Sequence, residues 1–88
     1  MFPLGRLVIT PAAYALLDQQ NISPDGMFER HALGDWGDVP DSDKKANDLA
    51  VEMGGRILSS YRLPNGECVW VTTDPERTAT TILLPSEH

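Results

Sequence analysis

The chain has almost no cysteine. Cys68 is the only one among 88 residues, so an intramolecular disulfide is excluded and nothing indicates an oxidising compartment. Long apolar runs are also missing, and the opening residues carry neither the basic nor the apolar segment of a secretory leader. These absences predict a cytoplasmic protein that neither spans nor enters a membrane.

Basic residues are also scarce. Seven lysines and arginines stand against thirteen aspartates and glutamates, which gives a net charge of −6. Phosphate binding ordinarily needs the opposite balance, so direct nucleic-acid binding is not expected. The hydrophobic fraction of 41% is that of a folded protein, and 88 residues are enough for one core. We therefore expect a single domain over residues 1–88.

The chain lacks the motifs of catalytic and metal sites. One cysteine and two histidines, His31 and His88, do not supply four zinc ligands, and the seven glycines are scattered rather than grouped into a phosphate-binding loop. No serine stands in a nucleophile motif, and strand packing explains Cys68. We therefore predict no catalytic residue, no metal and no cofactor, and hence a protein that is not an enzyme.

A short strand and two to three helices are predicted in the first part of the chain. The β-branched segment 6–10 predicts the strand. Thr10-Pro11 and Ser23-Pro24 each predict a helix start, because a capping hydroxyl precedes the proline that is favoured at the first helical position. The clearest helix is capped by Asp41 or Ser42, and apolar residues recur in it at the spacing of one helical face: Ala46, Leu49, Ala50 and Met53.

From residue 56 the pattern changes to a period of two and predicts a three-stranded antiparallel β-meander. Asn65-Gly66 between two β-rich segments predicts a two-residue hairpin turn, which would set Tyr61 opposite Trp70. A turn at Asp74-Pro75 leads to a third strand over residues 78–84. The predicted fold class is α+β, with the N-terminal strand at an edge of the sheet and the helices packed on one face.

The most anionic part of the chain precedes and begins the third helix. Trp36 stands there between glycines and carboxylates, so it combines an apolar anchor with the charge that partner surfaces use. In the alternative interpretation, Trp36 closes the core and the aspartates cap turns and the third helix. The predicted partner-binding residues are Asp35, Trp36, Asp38, Asp41 and Asp43.

Five segments carry a resemblance that covers nearly the whole chain. They are the opening residues 2–5, the segment 31–38 with its Gly-Asp-Trp-Gly-Asp, and the stretches 56–61, 70–74 and 77–85. Taken together they resemble a family of small uncharacterised bacterial proteins that are found on plasmids and integrated elements and are usually labelled "plasmid-related protein". The resemblance implies a mobile-element context and no particular activity.

A second resemblance is local. The segments 56–60 and 72–74 are similar to the C-terminal strands of barnase-type microbial ribonucleases, which also place helices before an antiparallel sheet. That resemblance implies a phosphate-binding role for Arg56, but Pro75 and Glu76 stand where the family has its catalytic histidine. A small barnase-like or toxin-like ribonuclease that uses Arg56, Arg77 and His31 is therefore an alternative function.

The expected function is that of a non-enzymatic accessory protein of a plasmid or other mobile element. It would bind another protein, and in one version of this hypothesis its acidic surface imitates nucleic acid in the basic groove of a DNA- or RNA-handling protein. A further alternative is a structural module that self-associates as a homodimer through an edge of the meander. The threonine-rich strand at residues 78–84 would suit such pairing.

Overall fold

Three helices and four strands make up the fold in the computed structural model, which describes residues 2–88. The elements are β1 Arg6–Ile9, α1 Pro11–Gln19, α2 Pro24–Ala32, α3 Asp41–Met53, β2 Ile57–Arg62, β3 Cys68–Thr73, β4 Ala79–Leu83 and a closing 3-10 turn Pro85–Glu87. The α+β class is confirmed. None of the helices in this part of the chain has the length and apolar character needed to cross a bilayer.

The first two helices begin where their local signals stand. The hydroxyl of Thr10 accepts a hydrogen bond from the amide of Ala13 at 3.2 Å, and the hydroxyl of Ser23 accepts one from the amide of Asp25 at 3.3 Å. These amides belong to the first turn of a helix, where no backbone carbonyl is available to them. The caps therefore decide both starts locally.

The sheet is mixed and has four strands in the order β1-β4-β3-β2. The strands β2, β3 and β4 pair antiparallel in chain order, and β1 pairs parallel with β4. The predicted three-stranded antiparallel meander is therefore only part of the sheet. The predicted edge position of β1 is confirmed, and β4, the threonine-rich strand that was considered for self-pairing, lies inside the sheet.

The register of the β2–β3 hairpin differs from the prediction. Tyr61 pairs with Val69, one residue away from the expected partner Trp70. Because successive side chains of a strand point to opposite faces, this shift of one residue sends the Tyr61 and Trp70 side chains to opposite faces of the sheet.

The reason for the shift is the length of the turn. The amide of Leu63 donates to the carbonyl of Glu67 at 2.7 Å, and the amide of Gly66 donates to the carbonyl of Leu63 at 2.9 Å, so three residues form the loop. Gly66 has a φ of +90°, whereas Asn65 has no positive φ. A type I turn followed by a left-handed glycine is typical of three-residue hairpins, whereas the predicted type I′ turn needs positive φ at both central residues.

The helices all pack on one face of the sheet. The buried strand residues on that face are Ile57, Ser59 and Tyr61 of β2, Val69, Val71 and Thr73 of β3, and Thr80 and Ile82 of β4. Within residues 2–88, none of α1, α2 and α3 lies over the opposite face, where Leu58, Trp70 and Leu83 are half-buried. There the ring of His88, next to the closing 3-10 turn, stands edge-on to Trp70 with centroids at 5.1 Å. The three helices thus cover one face of the sheet, and the C-terminal residues contact part of the other.

The apolar spacing in α3 does not mark its buried face. Asn47 and Ala50 are buried, whereas Leu49 is 61% and Met53 76% exposed. The Asn47 side chain donates to the carbonyl of Leu58 at 2.7 Å and accepts from the amide of the same residue at 3.2 Å. Because these two bonds satisfy a polar side chain against β2, the helix presents most of its apolar stripe to solvent.

Candidate functional site

Trp36 lies in the core. Its side chain is 5% exposed, and its indole N–H donates to a carboxylate oxygen of Asp48 at 3.0 Å. It shares a hydrophobic cluster with Phe2, Val39, Ala50 and Ile57. Trp36 therefore closes the core, as the alternative interpretation has it, and an anchor role that needs an exposed ring is not open to it.

The loop around Trp36 also pairs with the outer edge of β2. The amide of Ser60 donates to the carbonyl of Trp36 at 3.0 Å, and the amide of Asp38 donates to the carbonyl of Ser60 at 2.7 Å. Between them, Gly37 has a φ of +72°, and a Cβ at this position would collide with the Ser60 carbonyl. The close approach therefore requires glycine.

Asp35 and Asp38 are exposed, but each is paired with an arginine. One carboxylate oxygen of Asp35 lies 2.7 Å from Nε of Arg30, and one of Asp38 lies 3.1 Å from Nε of Arg62. The hydrogen bond from Arg30 is the main cause that lowers the pKa of Asp35. The other oxygen of Asp35 accepts the amide of Gly37 at 3.2 Å. These two carboxylates hold the loop in place and carry a charge that a neighbouring cation largely balances.

Asp41 and Asp43 lie in the first turn of α3. Both are exposed, and neither forms an ion pair within residues 2–88. The N-terminal end of a helix dipole favours negative charge, which explains their position. The five predicted residues thus divide into one core residue, two carboxylates paired with arginines and two carboxylates at a helix start.

A chain of buried polar side chains runs under the helices and joins three strands. His31, which has no exposed surface, places Nδ1 2.5 Å from the hydroxyl of Ser59 and Nε2 2.9 Å from that of Thr73. The hydroxyl of Thr73 lies 2.7 Å from that of Thr80, which donates to the carbonyl of Leu4 at 2.8 Å. These hydrogen bonds therefore link β2, β3 and β4 to the segment that leads into β1.

The direction of every bond in this chain follows from its last member. The carbonyl of Leu4 can only accept, so the proton of Thr80 is committed to it and Thr73 must donate to Thr80. Thr73 then accepts the Nε2 proton of His31, and Nδ1 accepts the hydroxyl proton of Ser59. A neutral imidazole with its proton on Nε2 is consistent with every hydrogen bond from Ser59 to Leu4.

The surroundings of His31 keep it neutral. Burial, and after it the positive charge of Arg77, lowers the pKa of His31 from 6.5 to about 4. The rings of Phe2 and Trp36 stand edge-on to the imidazole with centroids at 5.4 and 5.7 Å. The imidazole therefore faces the core, and a substrate has no access to the ring.

The arginines of the ribonuclease alternative differ in availability. Arg77 donates to the carbonyls of Gly55 at 2.6 Å, Ala50 at 2.8 Å and Asp74 at 3.0 Å, so its guanidinium holds the end of α3. Of the three residues in that alternative, only Arg56 offers an exposed side chain without a hydrogen-bond partner among residues 2–88. Within the same part of the chain, no group of three or more His, Cys, Asp or Glu side chains could hold a metal ion.

The helix α3 also carries an exposed surface that the sequence pattern did not predict. We call it the α3 outer face, and it is formed by Ser42, Ala46, Leu49 and Met53, all of which are exposed. Its carboxylate neighbours on the helix include Glu52, which is also exposed. The same spacing would serve a buried stripe, so the pattern alone does not tell which side of the helix meets the sheet.

We compared the chain with protein-family models, with curated proteins and with solved structures, and found no match in any of the three. The two resemblances noted in the sequence therefore stay predictions.

Proposed function

We propose that this protein is a non-enzymatic accessory protein that binds a basic macromolecular partner through the α3 outer face and the carboxylates beside it. The observation that carries the proposal is the exposure of Leu49 and Met53, at 61% and 76%, one turn apart on the same side of a helix. Scattered apolar side chains are common on protein surfaces, but a contiguous apolar strip with a polar rim is the usual centre of an interface.

Charge around this face favours a basic partner. Four carboxylates, Asp41, Asp43, Asp48 and Glu52, outnumber two lysines along α3, and the whole chain carries a net charge of −6. Such a surface steers a positively charged partner toward it, and salt weakens the effect. Asp35 and Asp38 add less than the sequence suggested, because Arg30 and Arg62 already pair with them.

The partner that fits best is a protein. In the mobile-element setting that the plasmid-related resemblance implies, a protein that handles DNA or RNA has the basic surface this charge requires. Lys44 and Lys45 interrupt the acidic row on α3, so a continuous imitation of a phosphate backbone is less well supported than docking around an apolar centre.

A photo-crosslinking residue in place of Met53 tests the proposal in cells that contain the partner. We expect it to capture a basic protein, which must then bind the purified chain directly. Exchange of both large apolar side chains, Leu49→Ser with Met53→Ser, should raise the Kd of that complex about tenfold or more. The fold should persist, because both side chains are exposed.

The matched control is Tyr14→Ser, which removes a large side chain that is 54% exposed on α1, a helix whose main strand contact is with β4. This change should leave the Kd unaltered. An equal loss of affinity in the control and in the α3 variant would contradict the proposal, and so would a Kd that does not rise with salt.

A further inference from the structure

The strand β1 forms an open edge of the sheet. The amide of Arg6 donates to the carbonyl of Thr78 in the segment before β4 at 2.9 Å, and the amide of Thr10 also points to β4. Since backbone groups alternate in direction along a strand, those of Leu7 and Ile9 point away from the sheet. The structure gives these two residues no backbone partner on that side within residues 2–88.

The free groups of β1 are complementary to those of an identical strand. If two copies of β1 pair antiparallel about a two-fold axis at Val8, Leu7 of each chain lies opposite Ile9 of the other. Residues that face each other in this way exchange two N–H···O bonds, so the two pairs form four hydrogen bonds and use every outward group of Leu7 and Ile9. The Leu7 side chain, 52% exposed in the single chain, then packs against Ile9 of the second copy.

Charge complementarity selects a second copy over an unrelated strand. Arg6 is exposed and forms no ion pair within the described residues. The antiparallel register sets it opposite Thr10 of the second copy, and within each chain the hydroxyl of Thr10 donates to the Glu87 carboxylate at 2.8 Å. The register therefore brings Arg6 of one chain to Glu87 of the other at both ends of the paired strands.

We propose that the edge of β1 is a contact between two copies of this chain, which pair as antiparallel β1 strands about a two-fold axis at Val8 with an Arg6–Glu87 ion pair at each end. The result is one continuous eight-stranded sheet with all helices on the same face. The interface is short, so the dimer is weak and forms in the micromolar to millimolar range. This surface is separate from the α3 outer face, which stays accessible in the dimer.

Sedimentation equilibrium over about 10 μM to 1 mM tests the dimer. The unaltered chain should approach twice the monomer mass as its concentration rises. Arg6→Glu alone and Glu87→Lys alone should each stay monomeric, because each variant places like charges together twice in its own dimer. An equimolar mixture of the two variants should recover the dimer, because each chain then meets the opposite charge on the other.

Three controls separate this contact from general effects of charge and folding. Arg56→Glu makes the same change in net charge but lies near Leu58 of β2, at the far side of the sheet, and should leave dimerisation unchanged. Glu87→Gln keeps an acceptor for Thr10 and should weaken the dimer less than Glu87→Lys. Circular dichroism and the Tm of every variant report whether the monomer still folds.

Nuclear magnetic resonance gives an independent test at the strand itself. The amide resonances of Leu7 and Ile9 should shift with concentration and exchange with solvent more slowly in the dimer, while those of Arg6 and Val8 are already bonded to β4. A chain that stays monomeric at every concentration would overturn the proposal. So would a variant mixture that fails to recover the dimer, or Arg56→Glu disrupting it as strongly as Arg6→Glu.

Discussion

The two edges of the sheet differ in whether their outward backbone groups have hydrogen-bond partners. At β2, the Asn47 side chain bonds both backbone groups of Leu58, and the loop before α3 bonds both of those of Ser60. At β1, the outward groups of Leu7 and Ile9 have no such cover from residues 2–88. The unpaired N–H and C=O groups of an edge strand can bond to another strand. The chain therefore protects one edge and leaves the other available for association.

The covered edge also accounts for the orientation of α3. Asn47 must face β2 to make its two hydrogen bonds, and this places Ala50 on the buried side of the helix. Leu49 and Met53 are then carried outward. The same contact that protects one edge of the sheet thus creates the α3 outer face that we propose as a binding surface.

The largest loss of stability should come from a substitution where the loop before α3 approaches β2 most closely. Gly37→Ala should lower the free energy of unfolding by about 3–5 kcal/mol, because the added Cβ collides with the Ser60 carbonyl at a φ that already disfavours alanine. Urea denaturation measures the loss. Gly66→Ala is the control, since its φ is +90° but no atom of residues 2–88 lies within 4 Å of the added Cβ, and it should cost about 1 kcal/mol. Equal losses would show that contact with Ser60 is unimportant.

Acid should weaken the link between the two edges. The hydrogen-bond chain through His31 connects Ser59 of β2 to Leu4, just before β1, and it needs a neutral ring. The pKa of His31 is about 4 in the folded chain against 6.5 for an ordinary histidine, so between these values the unfolded chain binds a proton that the folded chain excludes. The contribution of His31 to the free energy of unfolding should therefore be fully present above pH 6.5 and fall by about 3 kcal/mol as the pH drops to 4.

Variants of the two histidines separate this effect from other acid-sensitive groups. Urea denaturation at a series of pH values should show a smaller slope between pH 4 and 6.5 in His31→Gln, because glutamine supplies a donor and an acceptor but does not titrate. His88→Gln removes an exposed histidine and should keep the slope of the unaltered chain. An unchanged slope in His31→Gln would show that the buried imidazole is not the group responsible.

A smaller loss should follow removal of the side chain that covers Leu58. Asn47→Leu should cost about 2–3 kcal/mol, since the amide and carbonyl of Leu58 both lose their partner. Hydrogen exchange should quicken at the amide of Leu58. Asn65→Ala, which removes exposed local bonds to Glu67, should cost only a few tenths of a kcal/mol. Slow exchange at Leu58 in Asn47→Leu would mean that something else protects this edge.

The open edge at β1 should tolerate loss of an outward backbone amide, because that amide has no partner to lose. Leu7→Pro should cost less than about 1 kcal/mol in the monomer, because its amide points away from β4 and proline is accepted on edge strands. Val8→Pro removes an amide that points to β4 and should cost about 3 kcal/mol. Thermal unfolding at low protein concentration compares the two. A Leu7→Pro loss as large as that of Val8→Pro would mean that the Leu7 amide is bonded within the chain.

The hairpin shows how far local signals reach. Asn65-Gly66 correctly predicts a turn, but Asn-Gly is compatible with both a two-residue and a three-residue loop. The choice depends on which side chains of β2 and β3 meet the helices, and in the structure Tyr61 and Val69 do so together. A register that differs by one residue cannot be read from the turn residues alone.

The candidate site shows the same limit. The composition of the loop correctly identifies a concentration of carboxylates, but Arg30 and Arg62, which pair with Asp35 and Asp38, come from other elements. Trp36 finds its hydrogen-bond acceptor on α3, twelve residues away. Whether a loop residue is buried depends on neighbours that only the folded chain brings to it.

The sequence itself determined two proline-marked helix starts, one glycine-marked turn, the acidic balance and the α+β class. It could do so because capping, positive φ and net charge are properties of neighbouring residues or of composition. Tertiary structure alone decided that β1 joins β4 in parallel, that Asn47 rather than Leu49 faces the sheet, and that His31 is held neutral. The physical reason is that these outcomes depend on partners far along the chain, and backbone pairing and burial choose among arrangements that the local sequence permits equally.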